Sequence, residues 1–115
     1  MGFDANEFYI QTTAFAAGVP ATFSVQTTVE RDCELVAIAF GVGAVNNDLA
    51  MDMSLFVANA DTGVNIVLPI LAANTGAVAY PDAQHFFTKG DTFRLVSDGV
   101  ATTVPVVTST LVCRI

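Results

Sequence analysis

Clusters of turn-forming residues divide this chain into short segments at regular spacing, and this spacing constrains the fold more than any other feature. The clusters are rich in Gly, Asn, Asp or Pro and recur from residues 18–20 to residues 97–99. Such residues supply a positive or preset φ angle, or bond their side chains to the backbone. The segments between them are rich in Val, Thr, Ile and Phe, which favour strands. Seven to eight short strands at this spacing are typical of a β-sandwich.

Alternation of apolar and polar residues indicates how these strands are buried. In residues 22–29, Phe23, Val25 and Val29 alternate with polar residues. A period of two with one polar face is typical of a half-buried strand in an antiparallel sheet. Residues 35–42 and 66–71 are instead apolar on both faces. We expect these two strands to be covered on both sides, by the second sheet and by a neighbouring subunit.

The predicted fold is all-β, a single-domain antiparallel β-sandwich with about eight strands, which is the number in a jelly roll. Residues 19–115 are assigned to the sandwich, and residues 1–18 to an N-terminal segment that can serve as an inter-subunit arm. The predicted strands are residues 7–13, 21–29, 33–42, 51–58, 65–71, 84–87, 92–97 and 104–115. The residues expected in the core are Phe23, Val25, Leu35, Ile38, Phe40, Leu55, Ile66, Leu68, Phe93, Leu95 and Leu111.

The chain carries few charges for its size. Hydrophobic residues make up 53% of it and charged residues only 13%, whereas about a quarter is usual. Part of the surface is therefore expected to be covered by other protein, since charges are depleted at the centres of protein interfaces. The candidate interface residues are the aromatic ones of the N-terminal segment: Phe3, Phe8, Tyr9 and Phe15.

The charge balance disfavours two classes of partner. The net charge is −7, with only four Lys and Arg residues, which are scattered singly along the chain. Nucleic acid binding needs several cationic contacts to phosphate, and anionic membrane surfaces attract cationic segments. We therefore expect no nucleic-acid partner and no membrane partner. The first residues are acidic and lack the basic start of a signal peptide, which predicts synthesis in a cytoplasm.

No residue pattern predicts catalysis or a cofactor. His85 is the only histidine and stands beside two phenylalanines in a predicted strand, and no serine lies in a Gly-x-Ser-x-Gly frame. The absence of Trp weakens a sugar-binding role. Oxygen ligands for calcium occur in two loops, but turn chemistry explains the same residues. They are Asn46, Asn47, Asp48 and Asp52, and Asp61 with Asn59. We expect no enzyme activity, no catalytic residues, no cofactor and no metal.

Cys33 and Cys113 are the only cysteines, and each lies in an apolar, strand-like run. We expect two buried thiols that act as small hydrophobic side chains. A disulfide between an early and a late strand is the alternative, which a reducing compartment disfavours.

The late part of the chain resembles the ending of small tailed-bacteriophage virion proteins. The resemblance is carried by residues 86–99 (FFTKGDTFRLVSDG) and residues 106–112 (VVTSTLV). The nearest group is the capsid cement or decoration proteins with a β-sandwich or jelly-roll fold. The resemblance implies an accessory subunit, often a homotrimer, that sits on the outer capsid and bridges neighbouring capsomers.

The same resemblance implies the major capsid protein as the partner and the virion surface as the location, after synthesis in a bacterial cytoplasm. Two alternatives stay open at this point. One is a fibre or tail structural subunit, and the other is a ligand-binding or carbohydrate-binding β-sandwich module.

Overall fold

A computed structural model describes residues 8–14, 26–98 and 106–115, and for residues 8–14 the backbone alone. The described residues form nine strand segments. They are β1 (Phe8–Ala14), β2 (Thr27–Thr28), β3 (Cys33–Val42), β4 (Met51–Val57), β5 (Ala60–Leu68), β6 (Gly76–Ala79), β7 (Phe86–Phe87), β8 (Thr92–Ser97) and β9 (Val107–Arg114). Within these ranges no helix is long and apolar enough to cross a membrane.

The strands form two antiparallel sheets. The first sheet has the order β1-β9-β3-β6, and β7 also pairs with β3; the second has the order β2-β8-β4-β5. β6 pairs with one half of β3 and β7 with the other half, while β9 takes the opposite edge. β6 and β7 therefore share one strand position, so that the nine segments fill eight positions.

Numbered by position along the chain, the first sheet runs 1-8-3-6 and the second runs 2-7-4-5. This is the strand order of a jelly roll, in which two Greek keys form a double sheet. The predicted all-β antiparallel sandwich with eight strands is therefore confirmed.

The core lies between the two sheets and follows the predicted alternation. In β8 and β9 every second residue is buried. Ile38 of the first sheet and Leu55 and Leu95 of the second are completely buried. Nine of the eleven residues predicted for the core are described, and all nine belong to one buried cluster. Phe23 and Val25 lie outside the described residues.

The structure differs from the prediction at the start of β5. The predicted strands 51–58 and 65–71 leave six residues between them, but the turn consists only of Ala58 and Asn59, with φ angles of 51° and 64°. The following residues form a bulge within β5. Thr62 Oγ1 donates to the Leu55 carbonyl at 2.7 Å and accepts the Val64 N–H at 3.2 Å. These bonds satisfy the backbone where the two strands lose register, so β5 continues through the bulge.

No strand was predicted at Gly76–Ala79, where the structure has β6. Its four small residues stand between two turn-forming clusters and show no strong alternation. Glycine is required here, because a Cβ atom on Gly76 would lie 2.6 Å from the Phe40 carbonyl oxygen. The close approach of β6 to β3 therefore depends on Gly76, although a glycine in the sequence usually indicates a turn.

Candidate interaction surfaces

The outer face of the second sheet mixes polar and apolar side chains, which contact one another. The Arg94 guanidinium lies over the Phe56 ring, 5.4 Å from its centroid. Ser54 Oγ donates to Asn65 Oδ1 at 3.1 Å. Polar side chains on an outer face are usual for an antiparallel sheet that meets water on one side.

The outer face of the first sheet instead carries small, uncharged side chains. Among the described strand residues of this face, charges occur only in the row at one end, where Glu34 and Arg114 are paired in register. Val78 is 57% exposed and lies opposite Ala39 in register. The uncharged residues are Ala37, Ala39 and Gly41 in β3, Thr108, Thr110 and Val112 in β9, and Gly76 and Val78 in β6. We call these eight residues the uncharged face.

A buried asparagine joins two loops at one end of the sandwich. Asn47 in the β3–β4 loop has no exposed surface. Its Nδ2 donates to the carbonyls of Leu49 and Pro69, each at 3.0 Å, and its Oδ1 accepts the Leu71 N–H at 2.8 Å. A fully bonded polar group in a low-dielectric interior holds its surroundings in one arrangement. Asn47 therefore fixes the β3–β4 loop against the β5–β6 loop.

These fixed loops present aliphatic side chains to solvent. Val45 is 49% exposed, Leu49 45% and Ile70 61%. Val106 is 55% exposed, and its carbonyl accepts the Gly43 N–H at 3.1 Å, which places it beside the same loops. We call these four residues the aliphatic end. Exposed apolar patches of this kind mark interaction sites, and a pre-ordered loop loses little conformational entropy on binding.

The charges near the aliphatic end are all acidic. Asp98 Oδ2 accepts the Asp52 N–H at 3.1 Å, and the Asp52 carbonyl accepts the Asp98 N–H at 3.0 Å. Asp48 lies in the β3–β4 loop itself. All four Lys and Arg residues of the chain lie among the described residues, and none of them lies at this end.

Three of these cations meet at the opposite end. Arg31 and Lys89 line one surface depression, and Arg114 lines a second one with Phe86. Phe86 is 64% exposed, and Tyr80, which lines a depression with Arg114, is 70% exposed. Glu30, Asp32 and Glu34 line the same depressions, so charges of both signs meet here, and we call this the mixed-charge end.

Carboxylates of the mixed-charge end bond to amide groups. Asp32 Oδ1 accepts the Lys89 backbone N–H at 2.7 Å, and Asp91 Oδ2 accepts the Thr88 N–H at 2.8 Å. Glu34 accepts a bond from the Gln84 amide at 2.8 Å. These carboxylates hold the turns in place, whereas the side chains of Arg31, Lys89 and Arg114 are exposed.

The edge strand β5 is protected by a loop of the other sheet. The Asn65 N–H donates to Asp82 Oδ1 at 2.8 Å, and the Asp82 N–H donates to the Asn65 carbonyl at 3.0 Å. Asp82 thus takes the place of a neighbouring strand at this point. Unpaired strand edges invite pairing with other chains, so the bonds make β5 a poor site for strand addition.

The structure describes only two of the four predicted interface residues. Phe3 and Phe15 lie outside the described residues, as does the predicted boundary at residue 18. Phe8 and Tyr9 lie in β1, whose backbone pairs in register with β9, Phe8 opposite Arg114 and Tyr9 opposite Cys113. The role of these four aromatic residues stays a prediction.

Two of the residues considered for calcium bond to the backbone. The Asn47 amide is used by the two loops, and Asp61 Oδ1 accepts the Gly63 N–H at 2.9 Å. Within the described ranges, no group of three or more His, Cys, Asp or Glu side chains could hold a metal ion.

His85 and the two cysteines lie in apolar surroundings. The His85 ring meets the edge of Phe87 with 4.6 Å between centroids, and burial lowers its pKa. Cys33 and Cys113 are both buried free thiols, as predicted, and they share a hydrogen bond. Burial raises the pKa of both thiols, which disfavours the reactive thiolate.

The aliphatic end was not predicted from the sequence. The available signal was the presence of apolar residues inside turn-forming clusters, such as Val45 in the Gly- and Asn-rich residues 43–48 and Ile70 directly after Pro69. Comparisons with protein-family models, with curated proteins and with solved structures find no match to this chain.

Proposed function

We propose that this chain is a structural virion protein that decorates the outer surface of a bacteriophage capsid. It cements the shell by bridging neighbouring capsomers, acts as a homotrimer, and has the major capsid protein as its partner. The observation that carries the proposal is the uncharged face of the first sheet. The resemblance of residues 86–99 and 106–112 to small tailed-bacteriophage virion proteins indicates which partner this face binds.

A face of this composition suits a static contact with another protein. Its side chains are small, so a partner surface can approach the sheet closely over a wide area. A chain with a net charge of −7 also meets least repulsion from another acidic surface where it carries no charge itself.

Binding to capsid shells tests the proposal. Shells assembled from the major capsid protein of the same virus are sedimented with the purified chain, and the bound fraction gives a Kd. Val78→Asp places a charge in the middle of the uncharged face and should weaken binding at least about tenfold, which corresponds to about 1.4 kcal/mol. Val67→Asp is the matched control, because Val67 is 51% exposed on the second sheet, and it should bind like the wild type.

Two results would contradict the proposal. A wild-type chain that is a monomer at micromolar concentration and ignores shells would favour a ligand-binding module. Equal loss of binding in Val78→Asp and Val67→Asp would show that the uncharged face has no special part in attachment.

A further inference from the structure

We propose that His85 is a pH-sensitive switch: acid protonates its imidazole ring, and residues 84–88 then detach from β3. We call residues 84–88 the β7 segment. The inference goes beyond the proposed function, since it requires neither a capsid nor a second copy of the chain.

The surroundings of the His85 ring accommodate only its neutral form. The ring meets the edge of Phe87 with 4.6 Å between centroids, and Phe87 belongs to the core cluster. The Nε2 atom of His85 is buried and has no hydrogen-bond partner among the described residues. A neutral imidazole can leave Nε2 without a proton, whereas an imidazolium carries an N–H on both nitrogens. Protonation therefore buries a charge and an unpaired donor, which is unfavourable.

The charged groups around the ring do not remove this cost. Burial lowers the pKa of His85 below the ordinary value of 6.5, and the charge of Asp91 opposes that shift without cancelling it. Asp91 Oδ2 also accepts the Thr88 N–H at 2.8 Å. The other charged residues beside the β7 segment are Asp32, Glu34, Lys89 and Arg114. Because protons bind His85 more tightly when it is exposed, the closed arrangement is fully stable above about pH 6.5 and loses stability as the pH falls.

The β7 segment is held to β3 by a short ladder and can open locally. Within the described part of the chain, only Phe86 and Phe87 of this segment pair with β3. The His85 carbonyl accepts the Leu35 N–H at 2.9 Å. Regions with few such bonds open at a lower free energy than the whole domain.

Detachment changes the surface of the mixed-charge end. Phe86, Phe87 and Thr88 line a depression there together with Cys33. When the segment opens, these side chains leave the depression and the imidazolium reaches water. Protons shift the population towards the open arrangement because they bind it more tightly than the closed one. The mixed-charge end therefore presents one surface at neutral pH and another in acid.

Hydrogen exchange between about pH 7.5 and pH 5.5 tests the inference, because ordinary carboxyl groups stay ionised in this range. Rates corrected for the intrinsic effect of pH give the protection of each amide. The Leu35 amide, which donates to the His85 carbonyl, should lose protection at least about threefold in acid. The Val42 amide donates to the Thr75 carbonyl at the other end of β3 and should keep its protection. An NMR titration of the wild-type ring should give a pKa below 6.5.

Two variants separate His85 from other titrating groups. His85→Phe keeps a ring against Phe87 but takes up no proton, so its Leu35 amide should be equally protected at both pH values. Asp91→Asn removes the charge that favours the imidazolium and keeps an oxygen for the Thr88 N–H. Its loss of protection in acid should exceed that of the wild type.

The inference is overturned if the wild-type ring titrates at or above pH 6.5, or if the Leu35 amide keeps its protection in acid. It is also overturned if His85→Phe loses protection equally, if Asp91→Asn loses less than the wild type, or if Val42 loses as much as Leu35. The ring titration uses the wild type alone, so it decides the matter even where a variant fails to fold. Shell sedimentation at about pH 7.5 tests the proposed function separately, because His85 is neutral there.

Discussion

The rings of Phe87 and Phe93 lie 5.6 Å apart between centroids, at an angle of 47°. Phe87 belongs to β7 in the first sheet and Phe93 to β8 in the second, so the pair joins the two sheets across the core. Both side chains are almost completely buried. Aromatic pairs at this distance add stability beyond the area that they bury.

Phe93→Ala should lower the free energy of unfolding by about 3–5 kcal/mol, because it leaves a cavity between the sheets and removes the contact with Phe87. Urea denaturation measures the change. Phe86→Ala is the control, since Phe86 neighbours Phe87 in sequence but is 64% exposed, and it should cost under about 1 kcal/mol. Equal losses in the two variants would contradict the assignment of Phe93 to the core.

Asn47→Ala should lower the free energy of unfolding by about 2–4 kcal/mol, because it leaves the Leu71 N–H and two carbonyls without their partner. Hydrogen exchange at the Leu71 amide should accelerate in the same variant. Asn46→Ala is the control, as Asn46 is exposed and makes one bond of 3.4 Å. A variant of Asn47 that keeps the protection of Leu71 would show that other contacts hold the two loops.

Ala58→Gly should raise the free energy of unfolding by about 1 kcal/mol, since a left-handed conformation costs a residue with a Cβ atom about 1–2 kcal/mol. Ala58 has a φ angle of 51° in the turn between β4 and β5. Ala60→Gly, two residues later at the start of β5, should instead reduce stability because glycine weakens strands. Thermal unfolding of the two variants should therefore shift in opposite directions.

The buried thiols should make stability fall at alkaline pH. Burial raises the pKa of Cys33 and Cys113 above the ordinary thiol value of 9.0. Above that value the unfolded chain releases thiol protons that the folded chain retains, so unfolding becomes more favourable as the pH rises. The contribution is fully present below pH 9. Denaturant titrations between pH 7 and about pH 10.5 measure it.

The double variant Cys33→Ala, Cys113→Ala serves as the control for that titration. It should be less stable at neutral pH, because it loses buried volume, but its stability should decline less between pH 9 and about pH 10.5. Parallel decline in the variant and the wild type would assign the pH dependence to other groups.

The sequence by itself determined the strands whose signals are local. β3 and β8 begin and end where alternation and flanking turn clusters place them, at Cys33–Val42 and Thr92–Ser97. The nine described core residues were also identified. Phe93 and Leu95 follow from a period of two, which assigns each side chain to one face of its strand, whereas Leu35 and Ile66 belong to runs that are apolar on both faces. Sheet class and strand number follow from the same local pattern.

The tertiary structure alone decided the features that depend on distant partners. β6 exists because Gly76 lets the chain approach Phe40, and the bulge in β5 persists because Thr62 bonds to Leu55 across the hairpin. The aliphatic end depends on bonds from Asn47 to Pro69 and Leu71, which lie 22 and 24 residues away. Local sequence patterns cannot predict these hydrogen bonds, because each bond forms only when the fold brings its two distant partners together.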